Sequence, residues 1–157
     1  MREALSIADQ HLAVSIASAR TEVNRKRGNN NLRVSHKPQA EVELNGMAAE
    51  IFAARYFGVE PDTQIGDETY PAFDFKTNKG ATVDVKFSAT ESGNLLVYPN
   101  KKNNPCDYYV MVKGNFPCYE MYGYATADEV FLDENYTTIK GKGAYQVMKE
   151  KLRKFNG

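Results

Sequence analysis

The stretch from Tyr70 to Ser88, YPAFDFKTNKGATVDVKFS, constrains the fold of this chain more than any other. Two runs of alternating polar and apolar residues flank a turn-rich tetrad, Thr77 to Gly80, which predicts a β-hairpin. With Lys79 at the tip, Asp74 lies directly opposite Asp84. Because side chains alternate between the two faces of a strand, one face of the hairpin is apolar. The residues of this predicted core face are Phe73, Phe75, Val83, Val85 and Phe87.

The other face of the predicted hairpin carries Asp74, Asp84 and Lys86. Like charges placed directly opposite each other in an antiparallel pair repel. A cation between the two carboxylates would remove that repulsion, and a site with only oxygen ligands suits Mg²⁺ or Mn²⁺. Two acids and a lysine around a metal ion indicate hydrolysis of phosphodiester bonds. The alternative is a pair of ordinary acids on a solvent-facing surface, neutralised by Lys76 and Lys86.

The length of 157 residues predicts one domain with a substantial core. We divide it into an N-terminal helix with a basic loop (1–40), a catalytic core (41–131) and a C-terminal basic amphipathic helix (132–157). No run of apolar residues is long enough to cross a membrane, and the start of the chain lacks the apolar block of a signal peptide, which predicts a soluble, cytoplasmic protein without a membrane partner. Cys106 and Cys118 lack a CxxC spacing, which predicts reduced thiols rather than a zinc site.

Basic residues are concentrated at both ends of the chain, although the net charge is zero. Six bases and one acid lie between residues 20 and 37, and the same numbers recur from residue 140 onward. Between Glu41 and Asp84, nine acids face three bases. This distribution indicates a protein that binds phosphate groups around a metal-binding centre, and ordinary solvated helix faces are the alternative. The candidate nucleic-acid-binding residues are Arg25, Lys26, Arg27, Lys101, Lys102, Lys149 and Arg153.

Hydrophobic periodicity predicts helices at residues 2–27, 41–57 and 143–155, and strands at 95–98, 107–113 and 118–124. The order of these elements predicts an α/β or α+β fold, with a central mixed sheet flanked by helices. Glu50 is the only charge in an eight-residue apolar block of the second helix. Such a residue usually lies at the boundary of the core with its carboxylate in water, but an acid beside a metal site shows the same pattern.

A helix with Gly46-x-x-x-Glu50, an acid on one strand (Asp74) and Asp84-Val85-Lys86 on the next strand resemble the PD-(D/E)xK nuclease superfamily. This superfamily has the restriction-endonuclease-like fold and includes restriction enzymes, Holliday junction resolvases and many phage nucleases. The segment 106–131 also resembles its closing strands, so that the resemblance covers about residues 41–131. The chain departs from the family pattern at Phe73, which replaces the nominal proline, and in lacking an evident helix after the catalytic strand.

The resemblance implies that Asp74, Asp84 and the carbonyl of Val85 bind the metal ion, with Glu50 as a further acid, and that Lys86 orients or activates the attacking water. It therefore implies a Mg²⁺- or Mn²⁺-dependent DNA endonuclease or exonuclease, with RNA as an open alternative substrate. Similar small nucleases work as homodimers, and similarity to phage nucleases implies action in a host cytoplasm. The rival hypothesis is a nucleic-acid-binding or assembly module that keeps the nuclease fold without turnover.

Overall fold

A computed structural model describes residues 2–26, 39–65 and 73–156 of the protein. The helices are α1 (Ile7–Lys26), α2 (Gln39–Tyr56) and α3 (Ala127–Val130). The strands are β1 (Glu3–Ala4), β2 (Phe75–Lys76), β3 (Thr82–Ser88), β4 (Leu95–Val97), β5 (Tyr108–Asn115), β6 (Cys118–Thr126), β7 (Tyr136–Ile139) and β8 (Lys142–Val147). Three short 3-10 turns lie at Pro99–Asn103, Asp133–Asn135 and Lys149–Lys151. Within the described ranges, no helix combines the length and the apolar character needed to span a membrane.

The strands form two sheets, one with five strands in the order β1-β6-β5-β3-β2 and one with three in the order β4-β8-β7. In the larger sheet β3 and β5 run parallel, and the other neighbouring pairs are antiparallel. Helices α1 and α2 pack against each other, and α2 also packs on β3. The fold is therefore a mixed α+β fold, with a central mixed sheet and flanking helices, as the order of predicted elements indicated.

The hairpin between β2 and β3 has the predicted register, since Phe75 pairs with Val83 and Lys76 pairs with Thr82. Gly80 supplies a left-handed turn residue with φ of 88°. The predicted first strand is shorter than expected, and its first residues, 70–72, lie outside the described part of the chain. Phe73 does not join the predicted core face, because the chain bends before β2 and the alternation of side chains stops there.

Both faces of the five-stranded sheet are covered. One face packs on α1 and α2 through an apolar cluster that includes Ile16, Ile51 and Val85. The other face packs on the smaller sheet through a second cluster that includes Leu95 and Tyr109. The hairpin pattern predicted a polar second face, but the smaller sheet covers it, and the charged residues on this face lie partly or fully inside the protein.

The predicted C-terminal helix at 143–155 is wrong, because most of this segment is β8 followed by a 3-10 turn. β8 pairs with β7 around Lys140 and Gly141, whose φ angles of 48° and 80° suit a tight hairpin turn. Tyr145 and Leu152 would share one face of this predicted helix. Both are buried, but Tyr145 lies on β8 and Leu152 follows the 3-10 turn. Their helical spacing was therefore coincidental.

The remaining predicted elements are present with shifted ends. α1 begins at Ile7 rather than residue 2, because β1 pairs with β6. Its buried face includes a charged residue: Asp9 is buried and receives two hydrogen bonds from Arg55, of 3.0 and 3.1 Å, whereas the neighbouring Ala8 is exposed. The strands β4, β5 and β6 lie where they were predicted, and Thr126 caps α3 through a capping box. The basic loop before α2 and His36 lie outside the described residues.

Candidate active site

Three acidic side chains from separate parts of the chain meet beside the hairpin. Glu50 comes from α2, Asp74 from the residue before β2, and Asp84 from the middle of β3. The charges of Glu50 and Asp84 both act on Asp74 and raise the pKa of its carboxyl group. The backbone N–H of Val85 also donates to Asp74 Oδ2 at 2.7 Å. These three residues, here called the acid cluster, include every carboxylate that the sequence assigned to the site.

Burial and mutual repulsion make the acid cluster resist full ionisation. Burial raises the pKa of Glu50 from its ordinary value of 4.5 to about 7, with the Arg20 charge acting against the rise and the Asp84 charge adding to it. Burial also raises the pKa of Asp74 well above its usual range, and the charges of Glu50 and Asp84 raise it further. Without a cation, Glu50 therefore retains a proton in part of the molecules near neutral pH, and the Asp74 carboxyl group is harder to ionise than an ordinary aspartic acid.

Lys86 approaches the acid cluster from the same strand as Asp84. Its Nζ lies 3.0 Å from Asp84 Oδ2, a distance that suits an ion pair. Apart from this ion pair, Asp84 Oδ2 is the one buried side-chain oxygen without a hydrogen-bond partner in the described part of the chain. Because a buried oxygen without a partner is costly, this atom is the natural point for a bound cation or a proton donor to act.

Arg20 of α1 belongs to the site, although the sequence analysis counted it only as one of the N-terminal bases. Its Nη1 lies 3.8 Å from Glu50 Oε2. The same guanidinium donates to the backbone carbonyls of Gln64 at 3.0 Å and Asp62 at 3.3 Å. Arg20 therefore fixes the position of the Glu50 side chain and offsets part of its charge. Only the packing of α1 on α2 brings the two residues together.

Cys106 and Tyr109 form a neutral wall next to Asp84. Tyr109 is the β5 partner of Asp84, and its hydroxyl accepts a 3.0 Å hydrogen bond from the Cys106 N–H. Burial raises the pKa of Cys106 to about 11, and the Asp84 charge raises it further. Burial also raises the pKa of Tyr109 to about 12. Both groups are therefore uncharged at neutral pH. The sequence gives no local signal for their place beside Asp84, which depends on the parallel pairing of β3 with β5.

The donor set agrees in kind with a hard divalent cation, because every candidate ligand is an oxygen. Within residues 2–26, 39–65 and 73–156, however, no group of three or more His, Cys, Asp or Glu side chains is arranged to hold a metal ion. Mg²⁺ is commonly held by only one or two carboxylates, together with water and substrate phosphate oxygens. Asp74 and Asp84 supply two carboxylates for such a site, and the Val85 carbonyl is a further oxygen ligand of the same chemical type.

The predicted nucleic-acid-binding residues lie in different parts of the structure. Lys149 Nζ donates to the Glu91 carbonyl at 2.9 Å, and Arg153 Nε lies 3.0 Å from Glu129 Oε1. Lys102 Nζ donates to the Tyr145 hydroxyl at 3.4 Å. Lys101 lies on the same 3-10 turn as Lys102, and Lys26 is exposed at the end of α1, whereas Arg27 and the side chain of Arg25 lie outside the described part.

Comparison with known proteins gives a family match across almost the entire chain. Residues 2–154 match the model described as "Family of unknown function (DUF5843)". No curated protein matches the chain. The matched range includes the acid cluster, Lys86 and Arg20. The protein therefore belongs to the DUF5843 family of unknown function.

Proposed function

We propose that this protein is a Mg²⁺- or Mn²⁺-dependent nuclease of the PD-(D/E)xK type that hydrolyses phosphodiester bonds in DNA. The observation that carries the proposal is the meeting of Asp74, Asp84 and Lys86 at one point, where Asp84 Oδ2 is buried without a hydrogen-bond partner. The raised pKa values of Glu50 and Asp74 support it, because a cluster of buried carboxylates is stabilised by a cation.

In this proposal Asp74 and Asp84 hold the metal ion, with the Val85 carbonyl as a backbone ligand and Glu50 as a neighbouring acid. When bound, the ion supplies polarisation of the scissile phosphate and acidification of a bound water. Hydrolysis forms a bond between the water oxygen and phosphorus and breaks the bond between phosphorus and the leaving sugar oxygen, which takes up a proton.

Lys86 is suited to a second role. Its ammonium group lies 3.0 Å from Asp84 Oδ2 and keeps donors that can reach a water or a phosphate oxygen. It would orient the attacking water and stabilise the negative charge that develops on the phosphate. Arg20 would act as a positioning residue, because it contacts Glu50 and backbone carbonyls rather than the hairpin acids.

The test is incubation of the purified protein with labelled linear, nicked and four-way DNA and with RNA, each in Mg²⁺, Mn²⁺ or EDTA. We expect cleavage of DNA with either metal and none in EDTA. Asp74→Asn should abolish it, whereas Asp128→Asn should not, because Asp128 is an exposed acid on α3. Cleavage of RNA alone would mean that the nuclease acts on RNA rather than on DNA. No cleavage of any nucleic acid would overturn the proposal in favour of the non-catalytic binding module.

A further inference from the structure

Three lysine side chains contact the Glu91 carbonyl or the Tyr122 ring, near the opposite end of the sheet face that carries Asp84. Lys113 of β5 has no exposed surface, and its Nζ donates to the Glu91 carbonyl at 2.7 Å. Lys149 Nζ donates to the same carbonyl oxygen at 2.9 Å. The Nζ atoms of Lys113 and Lys154 lie 3.9 and 3.8 Å from the centroid of the Tyr122 ring. We call Lys113, Lys149 and Lys154 the lysine cluster.

The surroundings of the lysine cluster leave it with excess positive charge. The nearest acids that act on Lys113 are Glu91 and Glu120. Both are also shared with Arg2, which forms an ion pair with the Glu91 carboxylate and lies 4.0 Å from a Glu120 oxygen. Among the described residues, these interactions join four cations, Arg2 and the three lysines, to two anions, Glu91 and Glu120. A buried ammonium group inside such an excess is stabilised by an additional anion.

The contacts of the cluster leave hydrogen-bond donors for that anion. An ammonium group has three donors, and the Glu91 carbonyl and the Tyr122 ring are neutral partners that compensate no charge. Lys154 is exposed and Lys149 is half-buried, so an anion can reach both from solvent. Lys113 is buried and donates to the same carbonyl oxygen as Lys149, so its charge lies next to the ammonium group of Lys149. A phosphate group, with several acceptor oxygens, can receive bonds from more than one lysine.

We infer that the lysine cluster binds a phosphate group. Its place in the fold connects it with the proposed active site, and the choice of a nucleic-acid phosphate as the ligand rests on the proposed function. Asp84, Lys86 and Ser88 alternate on one face of β3, and Ser88 is the parallel partner of Lys113. Asp84 and Ser88 are separated by about 13 Å along the strand. A nucleic-acid strand cleaved at the acid cluster would therefore place a neighbouring phosphate, a few nucleotides away, at the lysine cluster.

The first experiment measures phosphate binding without nucleic acid or metal. Lysine ammonium signals are followed by NMR while inorganic phosphate is added, with sodium chloride at the same ionic strength as the control. We expect saturable shifts at Lys113, Lys149 and Lys154, and none from chloride. The double variant Lys149→Gln/Lys154→Gln should weaken binding about tenfold or more. Lys151→Gln removes an exposed charge from the same 3-10 turn and should leave phosphate affinity unchanged.

These variants avoid Lys113, whose substitution inside the sheet could unfold the protein. The inference is overturned if phosphate causes no saturable shift in the folded parent, or if Lys151→Gln weakens binding as much as the double variant does. The second result would mean that the protein attracts phosphate only through its general charge.

The second experiment identifies the source of the phosphate. Binding of a labelled oligonucleotide in EDTA is measured over a range of salt concentrations. If the ligand is a backbone phosphate, the double variant should lower the slope of log affinity against log salt by about 1, and Lys151→Gln should not. An unchanged slope in the double variant would overturn the nucleic-acid assignment and leave a site for free phosphate. Because these measurements need no turnover, a protein that binds through the lysine cluster but never cleaves would contradict the nuclease proposal alone.

Discussion

Asp84 of the acid cluster and Lys113 of the lysine cluster lie on the same face of the central sheet, and the two clusters tolerate buried charge by different means. Within the acid cluster, burial raises the pKa of both Glu50 and Asp74, and the charge of Asp84 raises both further, so that protons held by these two residues reduce the repulsion. Ammonium groups have no acceptor and cannot share protons in this way. Lys113 and Lys149 instead share the carbonyl oxygen of Glu91, and the pKa of Lys113 is lowered by burial and then by the charge of Lys149.

This difference shows what kind of ligand each end of the sheet face favours. A cation at the acid cluster replaces protons, so binding there should depend on pH. An anion at the lysine cluster adds charge compensation without displacing a proton, so binding there should depend mainly on salt. Substitutions in the acid cluster should therefore affect metal binding and cleavage, whereas substitutions in the lysine cluster should affect the salt dependence of phosphate binding.

Replacing Asp84 should have the largest effect. Asp84→Asn removes one negative metal ligand, so we expect loss of cleavage by about a thousandfold or more. Nucleic-acid affinity should persist or increase, because a negative charge facing the phosphate is removed while the lysine cluster is unchanged. Rates under single-turnover conditions and affinity in EDTA are the two measurements. A variant that cleaves like the parent would show that Asp84 does not hold the metal.

Replacing Lys86 should reduce cleavage by about 100- to 1,000-fold, because its donors are expected to stabilise charge in the transition state. Lys86→Met keeps the length of the side chain and should leave metal binding intact, in contrast to Asp84→Asn. Isothermal titration with Mn²⁺ provides the check. Loss of Mn²⁺ affinity in Lys86→Met with an unchanged turnover rate would assign Lys86 to the structure of the metal site rather than to the reaction.

The stability of the metal-free protein should decrease as the pH rises from about 4.5 to 7. The pKa of Glu50 is about 7 in the folded protein, against an ordinary value of 4.5. The stabilisation that Glu50 gives to the folded state is therefore complete below pH 4.5 and is lost as the pH rises through 7. This difference in pKa corresponds to at most about 3 kcal/mol of unfolding free energy. The actual value is smaller, because the Glu50 side chain is 24% exposed to solvent.

Melting temperatures in EDTA between pH 4.5 and 8 measure this effect. Glu50→Gln should flatten the dependence, and Mg²⁺ should restore stability at pH 8 in the parent. If the stability of the metal-free parent is constant or rises with pH, ionisation of the buried acid cluster does not destabilise the folded protein as proposed.

The smallest effect is expected at Arg153. Its guanidinium lies 3.0 Å from Glu129 and is largely exposed, outside the lysine cluster. Arg153→Gln should therefore change neither cleavage nor the salt dependence of oligonucleotide binding by a measurable amount. Anisotropy measurements beside the Lys149→Gln/Lys154→Gln variant provide the comparison. A loss of affinity in Arg153→Gln equal to that of the double variant would extend the phosphate-binding surface beyond the lysine cluster.

The sequence was most informative where its signals were local. The turn around Gly80 and the alternation on both sides of it were sufficient to predict the register that places Asp74 opposite Asp84. The apolar spacing of α2 and the glycine at position 58, with φ of 70°, located that helix and its end to within two residues. These features depend on residues within a few positions of each other.

The tertiary structure decided what covers the hairpin. The alternation predicted a polar outer face, but the smaller sheet packs there and leaves Asp84 only 5% exposed. The C-terminal segment was misassigned as a helix because Tyr145, Met148 and Leu152 have helical spacing. β7 and the turn at Lys140 and Gly141 instead provide a partner strand, and pairing with it outweighs a weak helical preference.

The sequence alone indicated Asp74, Asp84 and Lys86 as candidates, because they lie on the two sides of a short turn. It indicated Glu50 because that residue is the only charge in an apolar block of α2. It did not identify Arg20 beside Glu50, Tyr109 beside Asp84, or the convergence of the lysine cluster. Each of these contacts joins residues that are more than 20 positions apart. Their proximity depends on how α1 packs on α2 and on the parallel pairing of β3 with β5, and the free energy of that packing comes from burial of the entire core rather than from any short segment of sequence.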